Sequence, residues 1–184
     1  MNRNLAVVLA LLSIVFAPSV GAADSVWMKA ATHHELDPVV LYALALQESR
    51  RLRPDGKVRP WPWTLHAKGH GAMYFDSYDE ALDKLVELID GGVSNVDIGM
   101  MQINWGANGH LLPDPAKLLQ PQHNIDVGAT ILRLNLNQHQ GDLRQAIAHY
   151  HSPSKARGNQ YAQSVLTILQ NLRQLRGFSA ALAF

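Results

Sequence analysis

Glu48 is the residue whose position in the sequence points most directly to chemistry, because it closes a long apolar run. Residues 39–49 read VVLYALALQES. In a helix, Leu41, Leu44 and Glu48 would share one face, at positions i, i+3 and i+7. Burial on such a face raises the pKa of a carboxyl group, and a helix C-terminus acts in the same direction. A carboxylic acid that stays protonated near neutral pH can protonate a leaving oxygen.

The same glutamate also has a purely structural interpretation. Arg50, Arg51 and Arg53 follow it closely, and helix ends often carry surface ion pairs of this kind. The helix segment alone leaves both interpretations open.

A second segment of interest is DIGMMQINW, residues 97–105. Gly99 permits a backbone bend, and the two methionines that follow offer an adaptable apolar surface. Gln102 and Asn104 carry amides that both donate and accept hydrogen bonds. This mixture suits a sugar, although core methionines and turn-capping amides explain it as well.

Other chemical assignments have weaker support. Asp97 and Asp76 are the candidates for a second catalytic carboxylate, but both adjoin turns, where aspartate caps backbone amides. His66 and His70 have an i,i+4 spacing, but their glycine-containing region is unlike a helix, and the sequence holds no His-Glu-x-x-His motif. We therefore expect no metal and no organic cofactor in the reaction.

The elements that must position these residues are mainly helices. Helices are predicted over about residues 24–34, 38–49, 78–90, 121–140, 143–150 and 159–176. The capping residues Asp37 with Pro38, Ser77 and Asp142 mark three of the starts, and Pro153 interrupts the chain before the last helix. The proline- and tryptophan-rich residues 53–75 predict a loop or small β-hairpin excursion, and residues 93–104 a turn-rich connector.

The remaining features define the domain and its compartment. Residues 1–22 have the pattern of an export signal, so we expect a periplasmic protein that contacts the membrane only if the signal is not cleaved. We expect residues 23–176 to form one domain and residues 177–184 to be a flexible tail. The chain has no cysteine, and its net charge of +1 gives no electrostatic case for nucleic acid.

Three motifs together resemble the soluble lytic transglycosylase family. They are ES at residues 48–49, GMMQIN at 99–104 and AHYHSP at 148–153, in the order of the family's Glu-Ser, Gly-Leu-Met-Gln-Ile and Ala-Tyr-Asn-Ala-Gly motifs. The resemblance extends over about residues 26–172. It implies a mainly α, lysozyme-like catalytic domain of the goose type, with a short irregular or β wing.

The resemblance also implies an activity: cleavage of the β-1,4 bond between N-acetylmuramic acid and N-acetylglucosamine in peptidoglycan, leaving a 1,6-anhydromuramoyl end. Glu48 would be the general acid and then the general base. Ser49 would orient the acetamido group or Glu48. The other residues implied in substrate binding are Met101, Gln102, Asn104, Tyr150, His151 and Tyr161.

The third motif departs from the family pattern. His151 stands in place of asparagine, and Ser152-Pro153 in place of Ala-Gly. Tyr150 falls on the family's tyrosine, so its hydroxyl is expected beside Glu48. Tyr161 resembles a further tyrosine that the family places near the glutamate, but the buried stripe of a helix explains it equally.

The insert RPWPWTL, residues 59–65, resembles a branch associated with conjugation, type IV secretion or pilus systems, which are the expected protein partners. Trp61 and Trp63 would stack on glycan strands or pack the wing. Two rival functions remain: a hydrolytic muramidase on the same fold, and a catalytically weak wall-binding component of a secretion machine.

Overall fold

The computed structural model describes residues 25–175, so the export signal and the tail lie outside the described residues. Within that range the chain forms seven α-helices: α1 Val26–His33, α2 Pro38–Ser49, α3 Tyr78–Asp90, α4 Trp105–Asn108, α5 Pro121–Gln138, α6 Leu143–His151 and α7 Lys155–Gln174. A 3₁₀ helix covers Pro115–Leu119. The six strands are β1 Arg50–Leu52, β2 Val58–Pro60, β3 Thr64–Ala67, β4 Gly71–Tyr74, β5 Val96–Ile98 and β6 Ile103–Asn104.

Side-chain caps determine where the helices begin. Asp37 accepts a hydrogen bond from the Val39 amide, with Pro38 in the first turn, and Ser77 and Asp142 cap α3 and α6 in the same way. These three starts confirm the prediction. Ser25 caps α1, so that helix starts at Val26 instead of at residue 24.

Helix α2 is the centre of the domain and packs against α1, α5 and α7. Every residue from Val40 to Ala45 is buried, so the helix is apolar on all sides instead of on the single face inferred from spacing. The last turn is less enclosed, because Leu46, Gln47 and Glu48 are half-buried there and only Ser49 is buried. Glu48 and Ser49 lie in that turn.

The β-structure is more extensive than expected. Strands β1 and β2 form one antiparallel hairpin, and a separate antiparallel sheet has the order β4-β3-β5-β6. Residues 93–104 therefore contain two paired strands, with Asp97 opposite Asn104. The prediction of a turn-rich connector for these residues was incomplete, because it did not include the strands. The β1–β2 hairpin and the four-stranded sheet together form the wing.

The last helix was placed too late in the sequence. Helix α7 begins at Lys155, after Ser154, and it packs closely on α6. Gly158 permits this approach, since a Cβ there would lie 2.8 Å from the Ala148 carbonyl oxygen. The whole is the mainly α, lysozyme-like fold that the resemblance implied, and its wing is built from small antiparallel sheets. Within residues 25–175 no helix is both long and apolar enough to cross a membrane.

Candidate active site

A groove with a volume of about 560 Å³ runs between the C-terminal ends of α2 and α6 on one side and the four-stranded sheet on the other. We call it the Glu48 groove. Its lining includes Glu48, Thr64, His66, Tyr74, Asp97, Gln102, Asn104, His149, Tyr150 and His151. Four of the residues that the sequence proposed for substrate binding therefore line one groove with the proposed acid.

Burial of the Glu48 carboxyl group raises its pKa to about 7. A hydrogen bond from Tyr161 opposes this shift, and the negative charge of Asp97 adds to it. No ion pair among the described residues involves Glu48. Instead, Arg51 pairs with Asp76 at 2.8 Å, and Arg53 lies over the Trp61 ring at 4.0 Å.

Tyr161, on α7, donates its hydroxyl hydrogen to Oε1 of Glu48. The Tyr150 hydroxyl, whose pKa burial raises, lies near enough to Glu48 for that charge to raise it further, but its hydrogen bond is donated to the Met101 carbonyl oxygen, at 2.9 Å, instead of to Glu48. The pairing of α6 with α7 explains the difference, because it brings the buried face of α7 to the acid. Tyr161 thus holds Glu48, and Tyr150 holds the groove floor.

The tyrosines and His151 remain uncharged donors or stacking partners near neutral pH. Burial raises the pKa of Tyr161 and of Tyr150 well above the ordinary range of tyrosine. His151 stacks on Tyr161, with ring centroids 4.5 Å apart and planes 8° apart. Burial, followed by the charge of Arg157, lowers the pKa of His151. Its neutral imidazole therefore lies flat against the tyrosine that binds the acid.

The floor of the groove is a tight turn held by a single amide. Asn124 accepts from the Met101 amide at 2.7 Å, and donates to the carbonyl oxygens of Ile98 at 2.8 Å and Leu118 at 2.9 Å. Gly99 has φ +80°, and a Cβ there would lie 2.3 Å from Nδ2 of Asn124. Only glycine fits this position without displacing the turn. The sequence assigned no role to Asn124, although the segment that it begins, residues 124–129, resembles the family.

Two residues expected to contact substrate lie beneath the surface. The Ser49 hydroxyl donates to the Met100 carbonyl oxygen at 2.8 Å and accepts from the Trp61 amide at 3.2 Å. Ser49 and Met101 are each 0% exposed, and the Met101 side chain packs against Gly128. Neither side chain is therefore exposed to the groove in this structure, and Ser49 joins α2 to the floor and to the wing.

The amides of the connector do face the groove. Gln102, at φ +45°, donates through its side chain to the Gly99 carbonyl oxygen at 2.9 Å and to that of Thr64 at 3.2 Å. Asn104 caps α4 and donates to Oδ1 of Asp97 at 2.9 Å. Their positions are fixed before any ligand binds.

Asp97 lies on β5, close to the turn that begins at Gly99, but its carboxylate bonds side chains instead of capping backbone amides as expected. Its Oδ2 is 3.0 Å from Nδ1 of His66, and its Oδ1 accepts from Asn104. His66 is thus a partner of Asp97. Neither His66 nor His70 belongs to the cluster of potential metal-binding side chains found within residues 25–175. Asp76 is 80% exposed and does not line the groove.

Trp61 and Trp63 lie outside the groove. Their rings meet edge to face at 5.2 Å, and the Trp61 indole donates to the Phe75 carbonyl oxygen at 2.7 Å. Both line a separate cleft of about 430 Å³ together with Met100. Packing of the wing accounts for these contacts, and glycan stacking stays a prediction for this cleft.

Comparison with known proteins agrees with the geometry. The family model of the transglycosylase SLT domain matches residues 25–165, which is most of the chain. No curated protein and no solved structure matches. Domains of this family have lytic transglycosylase activity, for which peptidoglycan is the substrate. The chain therefore belongs to the transglycosylase SLT domain family.

Proposed function

We propose that the protein cleaves the β-1,4 bond between N-acetylmuramic acid and N-acetylglucosamine, with Glu48 as the only acid and base. The observation that carries this proposal is the environment of Glu48. Its carboxyl group has a pKa raised to about 7 and a neutral hydroxyl donor, Tyr161, on one oxygen. Such a group gives up and regains a proton at nearly equal cost near neutral pH.

In the first step the protonated Glu48 donates its proton to the glycosidic oxygen as the bond from that oxygen to the muramoyl C1 breaks. Tyr161 then stabilises the carboxylate that results, because a hydrogen bond to an ionised acceptor is stronger than one to a neutral group. This donor has no charge of its own and hence does not hold Glu48 permanently ionised.

In the second step the Glu48 carboxylate takes the proton of the muramoyl C6 hydroxyl while O6 bonds to C1. The products are a 1,6-anhydromuramoyl end and a free N-acetylglucosamine hydroxyl. The proton returns to Glu48, so no water is consumed. Gln102, Asn104 and His151 line the groove beside Glu48 and supply amide and imidazole groups for sugar hydroxyl and acetamido groups.

The same groove supports one alternative, a hydrolytic muramidase in which Asp97 is the second carboxylate. Asp97 lines the groove with Glu48 and raises its pKa. Against this role, both of its oxygens are already bonded to side chains, those of His66 and Asn104. An attacking water or a sugar carbon would have to displace these partners.

We further propose that the enzyme acts in the periplasm, where it opens the wall locally for a conjugation, type IV secretion or pilus apparatus. The sequence pattern of residues 1–22 and the insert at residues 59–65 support this role. The alternative to an active enzyme is a catalytically weak component of the same apparatus that binds the wall. The wing that carries the insert lies beside the Glu48 groove and adds a separate cleft that a partner protein can contact.

Mass spectrometry of digested peptidoglycan tests the chemistry. We expect 1,6-anhydromuramoyl products from the wild type and none from Glu48→Gln, which should still bind sacculi. Reducing muramoyl ends without anhydro products would replace the proposal by the muramidase. Equal and negligible digestion by wild type and variant, with binding retained, would support the wall-binding component.

A further inference from the structure

Two histidines and a carboxylate meet where the end of α1 packs on α5, away from the Glu48 groove. Nδ1 of His33 lies 3.3 Å, and Nε2 of His34 2.8 Å, from Oδ1 of Asp126. The three potential ligand atoms all lie within 4.8 Å of one another. None of these residues lines the groove, and nothing in the proposed reaction uses them.

The two separations that involve Asp126 are close to those around a tetrahedral zinc ion. Zinc binds imidazole nitrogen and carboxylate oxygen at about 2.0–2.2 Å, which places neighbouring ligand atoms about 3.3–3.5 Å apart. The His33–Asp126 separation of 3.3 Å already has this value. The His34–Asp126 separation of 2.8 Å needs to lengthen by about 0.5 Å to reach the lower end of that range.

The backbone around the cluster is fixed from the helix α5 side. Arg133, two turns after Asp126, donates from Nε to the His34 carbonyl oxygen at 2.8 Å and from its guanidinium to the Glu35 carbonyl oxygen. The histidine side chains therefore do not have to be ordered from a mobile loop when an ion binds. Only 14% of the His34 side chain is exposed, against 73% of the His33 side chain, so one ligand is largely enclosed and the other is free to turn.

A fourth position is available. His123, one helical turn before Asp126, lines a cleft of about 350 Å³ together with His33 and Asp126. A water molecule can complete four ligands, whereas the His123 imidazole, which is not among the clustered ligand atoms, would first have to turn toward them. Lys29 lines the same cleft and is the one cationic side chain there that opposes binding. The last carbonyl groups of α1, beside His33, favour a cation.

We propose that His33, His34 and Asp126 bind a divalent transition-metal ion of the zinc type, which fastens α1 to α5. The sequence contains no cysteine, so no disulfide is available to hold this N-terminal helix. A metal that binds the folded state alone stabilises it by mass action. The site is structural and separate from the chemistry at Glu48, and it does not depend on the proposed function.

The test is thermal unfolding and isothermal titration calorimetry of untagged protein, freed of metal with a chelator and then supplied with Zn²⁺. At Zn²⁺ about twentyfold above the dissociation constant, we expect the midpoint to rise by about 5 °C. Binding should show one site per chain. Asp126→Asn and His34→Gln should each weaken Zn²⁺ binding by at least about tenfold, with unchanged circular dichroism before metal is added. His110→Gln, a histidine outside the cluster, is the matched control and should behave as the wild type.

Cobalt(II) provides a second measurement that does not depend on stability. We expect visible absorption bands of a four- or five-coordinate ion, lost in Asp126→Asn and kept in His110→Gln. Equal Zn²⁺ responses in the wild type and Asp126→Asn, or no saturable binding to the wild type, would overturn the proposal. The cluster would then be a histidine–carboxylate ion pair.

Discussion

The two walls of the Glu48 groove each present a carboxylate, and the two are held in opposite ways. On the helical wall, the Glu48 carboxyl group is enclosed and has one neutral donor, Tyr161. On the sheet wall, 31% of the Asp97 side chain is exposed, and side chains bond both of its oxygens. Burial on the helical wall raises the pKa of Glu48, whereas Asp97 is partly exposed and bonded to His66 and Asn104.

This contrast indicates that the two carboxylates have different roles in the groove. The helical wall holds the group that gives and takes a proton, and the sheet wall holds a fixed negative charge that raises the pKa of that group. A lone acid with an electrostatic neighbour is consistent with the anhydro-forming reaction. Two interchangeable carboxylates would be consistent with hydrolysis. The substitutions below separate these possibilities, beginning with the largest expected effect.

Glu48→Gln should lower the rate of peptidoglycan cleavage by about 10³-fold or more, because both proton transfers are lost. The measurement is the rate of soluble muropeptide release from purified sacculi. Glu87→Gln on α3 changes an exposed glutamate that pairs only with Lys84, and it should retain full activity. A Glu48→Gln rate within tenfold of the wild type would show that another group is the acid.

The same substitution should stabilise the protein at alkaline pH. In the unfolded chain the carboxyl ionises near 4.5, and in the folded state near 7. Between these values the folded state binds the extra proton, so stability falls as pH rises through this window and stays low above it. The difference corresponds to about 3 kcal/mol. Denaturant unfolding should therefore show Glu48→Gln more stable than the wild type at pH 8 and nearly equal at pH 4.

Tyr161→Phe should reduce activity by about 10- to 100-fold, the value of one hydrogen bond to a charged group. Because that bond lowers the pKa of Glu48, its loss should move the alkaline limb of the pH–rate profile, near pH 7 in the wild type, to higher pH. Tyr150→Phe removes a bond to the floor instead, so its alkaline limb should stay in place. If the alkaline limb shifted in Tyr150→Phe and not in Tyr161→Phe, Tyr150 would be the residue that positions Glu48, as the family resemblance implied.

Asp97→Asn should cost about tenfold or less in rate if Asp97 acts only through its charge. Removing that charge lowers the pKa of Glu48, so the alkaline limb should move to lower pH, opposite to the shift in Tyr161→Phe. Asp76→Asn, outside the groove, should leave the profile unchanged. A loss as large as that of Glu48→Gln would identify Asp97 as a second catalytic carboxylate.

Substitution of His151 should have the smallest effect, a change of a few-fold, which is about 1 kcal/mol for a lost aromatic pair. His151→Phe keeps a ring against Tyr161, whereas His151→Asn removes the ring and restores the residue usual in the family. We expect the phenylalanine variant to keep the wild-type alkaline limb, and the asparagine variant to show a displaced one. Identical profiles would mean that the stack does not position Tyr161.

The sequence predicted the parts of this molecule that depend on local interactions. Caps at Asp37, Ser77 and Asp142 are short-range, so three helix starts were correct, and the apolar run before Glu48 indicated its burial. The predicted start of α7, near residue 159, was too late, because the helix begins at Lys155, soon after the interruption at Pro153. Gly158 lies within the helix, where its missing side chain lets α6 approach.

The interior of the site required long-range information. Ser49 and Met101 belong to motifs whose residue types suggest substrate binding, yet both side chains face the core. Residue spacing alone cannot show whether a side chain in the groove floor faces the groove or the core beneath it. Tyr150 and Tyr161 both lie on helices, and which of them reaches Glu48 depends on how α6 packs against α7. The partnership of Asp97 with His66 depends on the register of β3 and β5.

Asn124 has a consequence for how the molecule opens as well as for its shape. The turn at Gly99 cannot separate from α5 without breaking the two bonds that the buried Asn124 side chain makes to Met101 and Ile98, and a third bond ties the same side chain to Leu118. The Met101 amide, although it lies in a short loop segment, should therefore exchange its hydrogen with solvent as slowly as the core of α5, and only through large unfolding events. The groove floor should therefore open only together with the helical core.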